Sequence, residues 1–227
     1  MKPLFIAGTD TDVGKTYVTA GLAVTLRKMG IDVGVMKPFA AGTPQKKGYK
    51  SEDVEILAQS AKINDPEYLI NPQFFPIPAS PYTAWKNLKQ KPSIKKVISS
   101  FSKLSNMHEI LLVEGMGGIM TPILREFYII DLLKSMKIPT IIVTRNRIGT
   151  INHTIMTWKM CEKYKIPVKG IIINNIDKGY PVKELIRDLH NLTNLPVLGS
   201  IPFIKNFSDS SLYKTFTKNV DIKKLLK

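Results

Sequence analysis

The chain is short of cysteine, of long apolar runs and of acidic residues to match its basic ones, and each shortage excludes something. Cys161 is the sole cysteine, so no internal disulfide can form; it is expected to be a small core or helix residue in a reducing compartment such as the cytoplasm. The longest apolar stretches, such as Ile110 to Val113 and Pro139 to Val143, fall far below the roughly 20 residues that cross a bilayer, so no membrane partner is expected. The opening MKPLFIAGTD carries one lysine and runs directly into a glycine-rich loop without a small-residue cleavage site. It reads as a buried first strand rather than a signal peptide. His108, His153 and His190 have no metal-ligand spacing, and no convincing Ser/His/Asp or Cys/His set points to covalent catalysis.

Acidic residues number 18 against 33 basic ones, a formal net charge of +15. Such a balance suits phosphates, nucleic acid or anionic lipid, and position decides among them. The lysines spread over Lys46 to Lys50, Lys86 to Lys96 and Lys214 to Lys224, without the compact stripe and stacking aromatics of a nucleic-acid surface. They are expected to form a solvated surface, with no nucleic-acid partner.

A chain of 227 residues that is 44% hydrophobic can bury one substantial core, so residues 1–227 are read as a single domain. Strand-like and helix-like segments alternate, the rhythm of an α/β fold with a mostly parallel central sheet and helices on both faces. Strands are expected at Pro3 to Ala7, Val33 to about Lys37, Glu109 to Val113, Thr140 to Thr144, Val168 to Ile173 and Val197 to Ile201. Helices are expected at Thr16 to Met29, Asp53 to Ser60, Ile94 to Leu104, Ile151 to Tyr164 and Pro181 to Leu192, with Ser93 as an N-cap and Pro181 in a first helical position. Lys205 to Asn219 is polar with little periodicity and reads as a loop over the site or a mobile segment.

Gly8-Thr-Asp-Thr-Asp-Val-Gly14-Lys15-Thr16 stands where the first strand ends and a helix begins, which predicts a P-loop NTPase fold. Glycine-permitted turns let successive backbone N–H groups point inward, and the helix adds its positive end. Lys15 can then reach the β- and γ-phosphates, and Thr16 can ligate Mg²⁺. Five residues separate Gly8 from Gly14 where the common pattern has four. Asp10 and Asp12 are unexpected beside phosphates; capping the loop, holding Lys15 and holding a ribose hydroxyl all remain open to them.

Glu114 closes a strand and precedes Gly115-Met116-Gly117-Gly118, so it reaches the C-terminal sheet edge, where open α/β sheets bind ligands. A hard cation needs one or two such carboxylates. Asp53 is the second candidate, although an acidic residue beginning a helix also serves as a cap. Lys37 ends a strand before Pro38. It either points to solvent or turns inward to offset charge on a transferring phosphoryl group.

GTDTDVGKT, MKPFAAG, SEDVEIL, LLVEGMGG, RIGTINHT and GIIINN together resemble the dethiobiotin synthetases, in matching order and spacing from Met1 to about Ile204. The resemblance implies a homodimeric P-loop enzyme that converts 7,8-diaminononanoate, CO2 and MgATP to dethiobiotin, ADP and phosphate, with the substrate site at the subunit interface. It accounts for the five-residue loop spacing. It implies a phosphate and metal site from Asp12, Val13, Gly14, Lys15, Thr16 and Tyr17 with Asp53, Glu114, Gly115, Met116 and Gly117, in which Thr16, Asp53 and Glu114 hold Mg²⁺ and Lys15 and Lys37 are the catalytic cations. Asn174, with Asn175, Pro202, Phe203 and Ile204, corresponds to the adenine pocket. Thr11, Lys37, Ala41, Thr150, Ile151 and Asn152 correspond to the substrate contacts, and the helix beginning near Thr150 presents backbone N–H groups to the substrate carboxylate of the partner subunit.

Ala41 stands where the family often has a serine, and Tyr82 where a histidine is common after Ser-Pro; both departures lie on the substrate side, and Thr43 offers a hydroxyl nearby. Two rival readings are an amidase of the same P-loop group, disfavoured because no glutaminase domain is seen, and a chromosome-partitioning-like ATPase, disfavoured because Thr9 to Val13 contains no lysine.

Overall fold

A strand whose side chains are apolar at every position needs cover on both faces, because successive residues point to opposite sides. In the computed structural model, which describes residues 3–175, 181–205 and 207–227, Leu4 and Ile6 enter one hydrophobic cluster and Phe5 and Ala7 another. Ile110 and Leu112 likewise join the first cluster and Leu111 and Val113 the second. Burial of each such side chain stabilises the fold by about 1.5–3 kcal/mol before entropy is counted.

The elements run β1 (Leu4–Gly8), α1 (Lys15–Lys28), β2 (Val33–Met36), β3 (Phe39–Ala41), α2 (Glu52–Ala61), α3 (Glu67–Ile70), β4 (Gln73–Phe75), α4 (Pro81–Leu88), α5 (Ile94–Met107) and β5 (Ile110–Gly118). There follow β6 (Pro122–Leu124), β7 (Phe127–Tyr128), α6 (Ile129–Met136), β8 (Thr140–Arg145), α7 (Thr150–Lys163), β9 (Val168–Asn174), α8 (Val182–Thr193), β10 (Val197–Ile201), α9 (Asp209–Asn219) and α10 (Ile222–Leu226). Six strands form one sheet in the order β10-β9-β8-β1-β5-β2, parallel throughout. The chain leaves β1 first toward β2 and later toward β8 on the other side, so a crevice opens beyond the carboxyl end of β1.

The expected α/β architecture is therefore present, with three local corrections. The segment 205–219, expected to be a loop, contains α9; Asn206 lies outside the described residues. Leu212 and Phe216, four residues apart, are buried in the first cluster, and a Cβ on Gly21 would lie 2.0 Å from the Phe216 ring. Two apolar residues in an otherwise polar helix make too narrow a stripe to register as periodicity. Pro181 is the N-cap of α8 rather than its first helical residue. The short pairs β3 with β4 and β6 with β7, and the helices α3, α4, α6 and α10, had no sequence expectation. Ser93 does cap α5, accepting from the Lys96 N–H at 3.3 Å. Among the described residues no helix is long and apolar enough to cross a membrane. Cys161 is buried, and burial pushes its thiol up to about 12, away from nucleophilic chemistry.

His108, after α5, joins elements distant in sequence. Its Nδ1 lies 3.0 Å from Asp32 Oδ1 and its Nε2 2.8 Å from Asp65 Oδ2. Burial opposes the charged ring, but the hydrogen bonds to Asp32 and Asp65 outweigh it and raise the pKa above 6.5. A raised folded value adds stability that is complete below the unfolded value and disappears as pH rises through the folded one. Thermal melts from about pH 6 to about pH 9 should therefore show wild type losing a stability increment that His108→Gln never had; parallel curves would refute the staple.

Candidate active site

The phosphate loop closes over its own lysine. Lys15 Nζ donates to the Asp10 carbonyl at 2.8 Å, and a Cβ on Gly8 would stand 2.7 Å from that nitrogen, so only glycine leaves room for it. Gly14 caps α1 at φ 86°, in the left-handed region that glycine enters without strain. The first N–H groups of α1 are thereby left facing the loop, without partners inside the helix. Asp10 Oδ1 accepts from the Thr11 N–H at 2.7 Å. Of the roles left open for Asp10, its carboxylate caps the loop while its carbonyl holds Lys15. Asp12 takes φ 55°, and its carbonyl accepts from Arg145 at 3.4 Å.

Lys15 is 7% exposed, and its pKa is lowered to about 8, first by burial and then by the Lys37 ammonium. Lys37 behaves in the opposite way. Burial works against its charge, but the carboxylates of Glu114 and Asp53 raise its pKa above the ordinary lysine value.

The carboxylates expected for a metal converge on Thr16. Its hydroxyl lies 2.9 Å from Glu114 Oε1 and 3.1 Å from Asp53 Oδ1, and with a single proton it donates to one of them at a time. Lys37 Nζ reaches Asp53 Oδ2 at 2.8 Å and also bonds Glu114 Oε1. Lys37 thus points inward. Asp53 does more than begin α2: burial would raise its pKa, but Lys37 and the Thr16 hydroxyl bring it below the usual carboxylate value. Glu114 is fully buried, and its Oε2 has no hydrogen-bond partner among the described residues.

Asn71 had no role in the sequence reading. Lys37 follows the edge strand β2, so its peptide groups need partners from outside the sheet. Ile70 O accepts the Lys37 N–H at 2.8 Å, and Asn71 Nδ2 donates to the Lys37 carbonyl at 2.6 Å. The 34 positions that separate Asn71 from Lys37 hide the clamp.

Around this cluster lies a cleft of about 460 Å³, lined by Thr11, Asp12, Gly14, Tyr17, Ala41, Met116 and Gly117 together with Ala40 and with Glu52 and Ile56 of α2, these last three also unforeseen. A second cavity, of about 260 Å³, is lined by Tyr17, Asn174, Pro202, Phe203 and Ile204. Asn174 Nδ2 donates to the Val13 carbonyl at 3.2 Å, tying the end of β9 to the phosphate loop. Asn175 instead donates to Ser200 Oγ at 2.6 Å and Ile201 O at 3.0 Å, and accepts from Asn146 at 3.0 Å. Its side chain is engaged in holding β9 to β10. Thr150, Ile151 and Asn152 form the first turn of α7, whose N-cap Gly149 has φ 88°; the Thr150 hydroxyl is given to Arg145 O at 2.5 Å, leaving backbone groups for any ligand. Tyr82 stacks edge-on to Trp85 at 6.2 Å.

A protein-family model described as AAA domain matches residues 2–211. The chain is similar over its full length, at 71% identity and with 100% of both chains covered, to the ATP-dependent dethiobiotin synthetase BioD of Nitrosopumilus maritimus. To the corresponding protein of Bacillus velezensis it is 35% identical, with 98% of this chain and 95% of the relative covered. Among solved structures it is similar to the cell division ATPase MinD of Pyrococcus furiosus, at a TM-score of 0.58 and 16% identity, covering 99% and 100% of the two chains. The MinC:MinD complex of Aquifex aeolicus gives a TM-score of 0.59 at 15% identity, with 100% of this chain and 96% of that one covered; these likenesses describe the fold alone. By family match and by full-length identity, the chain belongs to the ATP-dependent dethiobiotin synthetase family.

Proposed function

We propose that this protein is a cytoplasmic, homodimeric dethiobiotin synthetase, a ligase that uses MgATP and CO2 to close the ureido ring on 7,8-diaminononanoate. The carrying observation is the meeting of Lys37, Thr16, Asp53 and Glu114 at the mouth of the phosphate loop.

CO2 adds to an unprotonated amine of the substrate to form a carbamate. Phosphoryl transfer from ATP turns one carbamate oxygen into a leaving group, and attack by the second amine expels phosphate and closes the ring. The protein's work is to hold the carbamate in line with the γ-phosphate and to stabilise the negative charge that spreads in transfer. Lys15 and the first turn of α1 suit the phosphate chain, and Lys37 lines the same cleft, where its charge can offset that of the transferring group. Magnesium suits the donors present, since Thr16, Asp53 and Glu114 offer hard oxygens and one buried Glu114 oxygen is unpartnered. Held by those residues, it would supply Lewis-acid stabilisation of the negative charge on the phosphates.

For the base, Asn174 gives one amide hydrogen to the Val13 carbonyl, and its side-chain oxygen is the acceptor for the amino group of adenine. The first turn of α7 suits the substrate carboxylate of the partner subunit. Exposed Met120 and Met156 line one surface cleft together with His153 of α7, an apolar contribution that a second copy would cover.

Purified protein supplied with ATP, magnesium, bicarbonate and the diamine should release phosphate only when the diamine is present, with a product of the mass of dethiobiotin. Phosphate release indifferent to the diamine but stimulated by DNA, or turnover requiring glutamine, would replace this reading with one of its rivals.

A further inference from the structure

Behind the cleft, at the carboxyl end of β8, threonine hydroxyls meet where no water reaches. Thr144 is fully buried, as is Thr154, and Thr150 is nearly so. Thr144 Oγ1 lies 2.6 Å from Thr150 Oγ1, 3.0 Å from Thr154 Oγ1 and 3.4 Å from Thr9 Oγ1. Thr9 follows Gly8 at the base of the phosphate loop, and its N–H donates to the Val143 carbonyl at 3.0 Å. Thr150 and Thr154 belong to the first turns of α7.

Each hydroxyl has one proton, and this sets the direction of the chain. Thr150 gives its proton to the Arg145 carbonyl at 2.5 Å. Its oxygen therefore faces Thr144 as an acceptor, and Thr144 must donate to it. Thr154 shares its proton between the Thr150 carbonyl at 2.7 Å and the Thr144 oxygen. Thr144 thus accepts from one residue of α7 and donates to another, while its oxygen also faces Thr9 of the phosphate loop.

Valine at this position would have the same shape, would suit a buried parallel strand and would need no hydrogen-bond partner. What the hydroxyl adds is direction, because a hydrogen bond weakens steeply off its axis whereas apolar packing does not. We infer that Thr144 is a positioning residue, locking the first turn of α7 in a fixed orientation relative to the phosphate loop and so setting the placement of the substrate's anionic end. This rests on the proposed binding of the substrate carboxylate at that turn. Placement matters there, since a displacement of about 1 Å can cost about 10²-fold in rate.

The test compares Thr144→Val and Thr144→Ser in the full chain, with ATP and diamine varied separately. Thr144→Val should raise KM for the diamine about tenfold, leave KM for ATP within about twofold and lower the melting temperature by no more than about 5 °C, the cost of one or so buried hydrogen bonds; Thr144→Ser, which keeps the hydroxyl, should restore the wild-type value. Thr154→Val provides a second variant that removes one bond of the set, with a smaller effect in the same direction. The inference is overturned if Thr144→Val leaves KM for the diamine unchanged, if both KM values rise together with a fall in melting temperature, or if serine fails to rescue. A wild-type protein with no diamine-dependent turnover would overturn the functional reading, and the inference with it.

Discussion

Lys37→Met is expected to lose about 10²- to 10³-fold in kcat and, separately, to lower the stability of the free protein by about 3–5 kcal/mol. The two losses have different causes. In turnover the ammonium stabilises charge that spreads over the transferring phosphoryl group, and methionine keeps the length of the side chain without the charge. In the fold, Lys37 Nζ bridges Asp53 and Glu114. Asp53 is half exposed and can turn to water, but Glu114 is fully buried, so removing the lysine leaves a buried carboxylate with only the Thr16 hydroxyl. Replacing a whole buried pair is commonly neutral or stabilising, whereas removing one partner is not. Lys37→Met/Glu114→Leu should therefore regain most of the stability in urea denaturation while remaining inactive. Should the single variant keep kcat within about threefold of wild type, Lys37 has no part in the chemistry.

What could be read in advance divides along a physical line. Parallel strands buried on both faces are near-continuous apolar runs, so β1, β5, β8 and β9 stood out, and the phosphate loop is contiguous in sequence. The edges of the fold did not show in this way, because the fully buried residues of α9 are just Leu212 and Phe216, and the short pairs β3–β4 and β6–β7 are too brief for a period to appear. Residue pairs far apart in the chain were harder still. Thr16 and Asp53 are 37 positions apart, and an acidic residue at the start of a helix is as well explained by capping, so the sequence chemistry left Asp53 between metal ligand and cap and the family resemblance favoured the first. Asn71 is 34 positions from the Lys37 carbonyl that it holds, and neither its composition nor its spacing signals that contact. The Thr144 cluster hides for a third reason: threonine in a strand and at a helix start follows ordinary propensity, and only the buried geometry reveals that the hydroxyls are directed.

Lys15→Met should be just as inactive but should move stability in the opposite direction. Loss of the only side-chain cation that the phosphate loop itself supplies should lower kcat/KM for ATP by about 10³-fold, a loss of about 4 kcal/mol in transition-state stabilisation. In the free protein, however, Lys15 is a buried cation that donates to the Asp10 carbonyl, with Lys37 nearby as a like charge. Its pKa, lowered from 10.5 to about 8, means that the unfolded chain holds the proton more tightly than the fold does. The sign follows: below about 8 the charged side chain subtracts on the order of 3 kcal/mol from stability, and the deficit is relieved as pH rises from about 8 toward 10.5. Lys15→Met should therefore melt higher than wild type at neutral pH and lack that relief. Nucleotide binding requires the protonated form, so KM for ATP in wild type should rise, by up to about tenfold per pH unit, once the pH exceeds about 8. A Lys15→Met protein that melts lower than wild type would mean that packing of the side chain and its bond to the Asp10 carbonyl outweigh the cost of burying its charge.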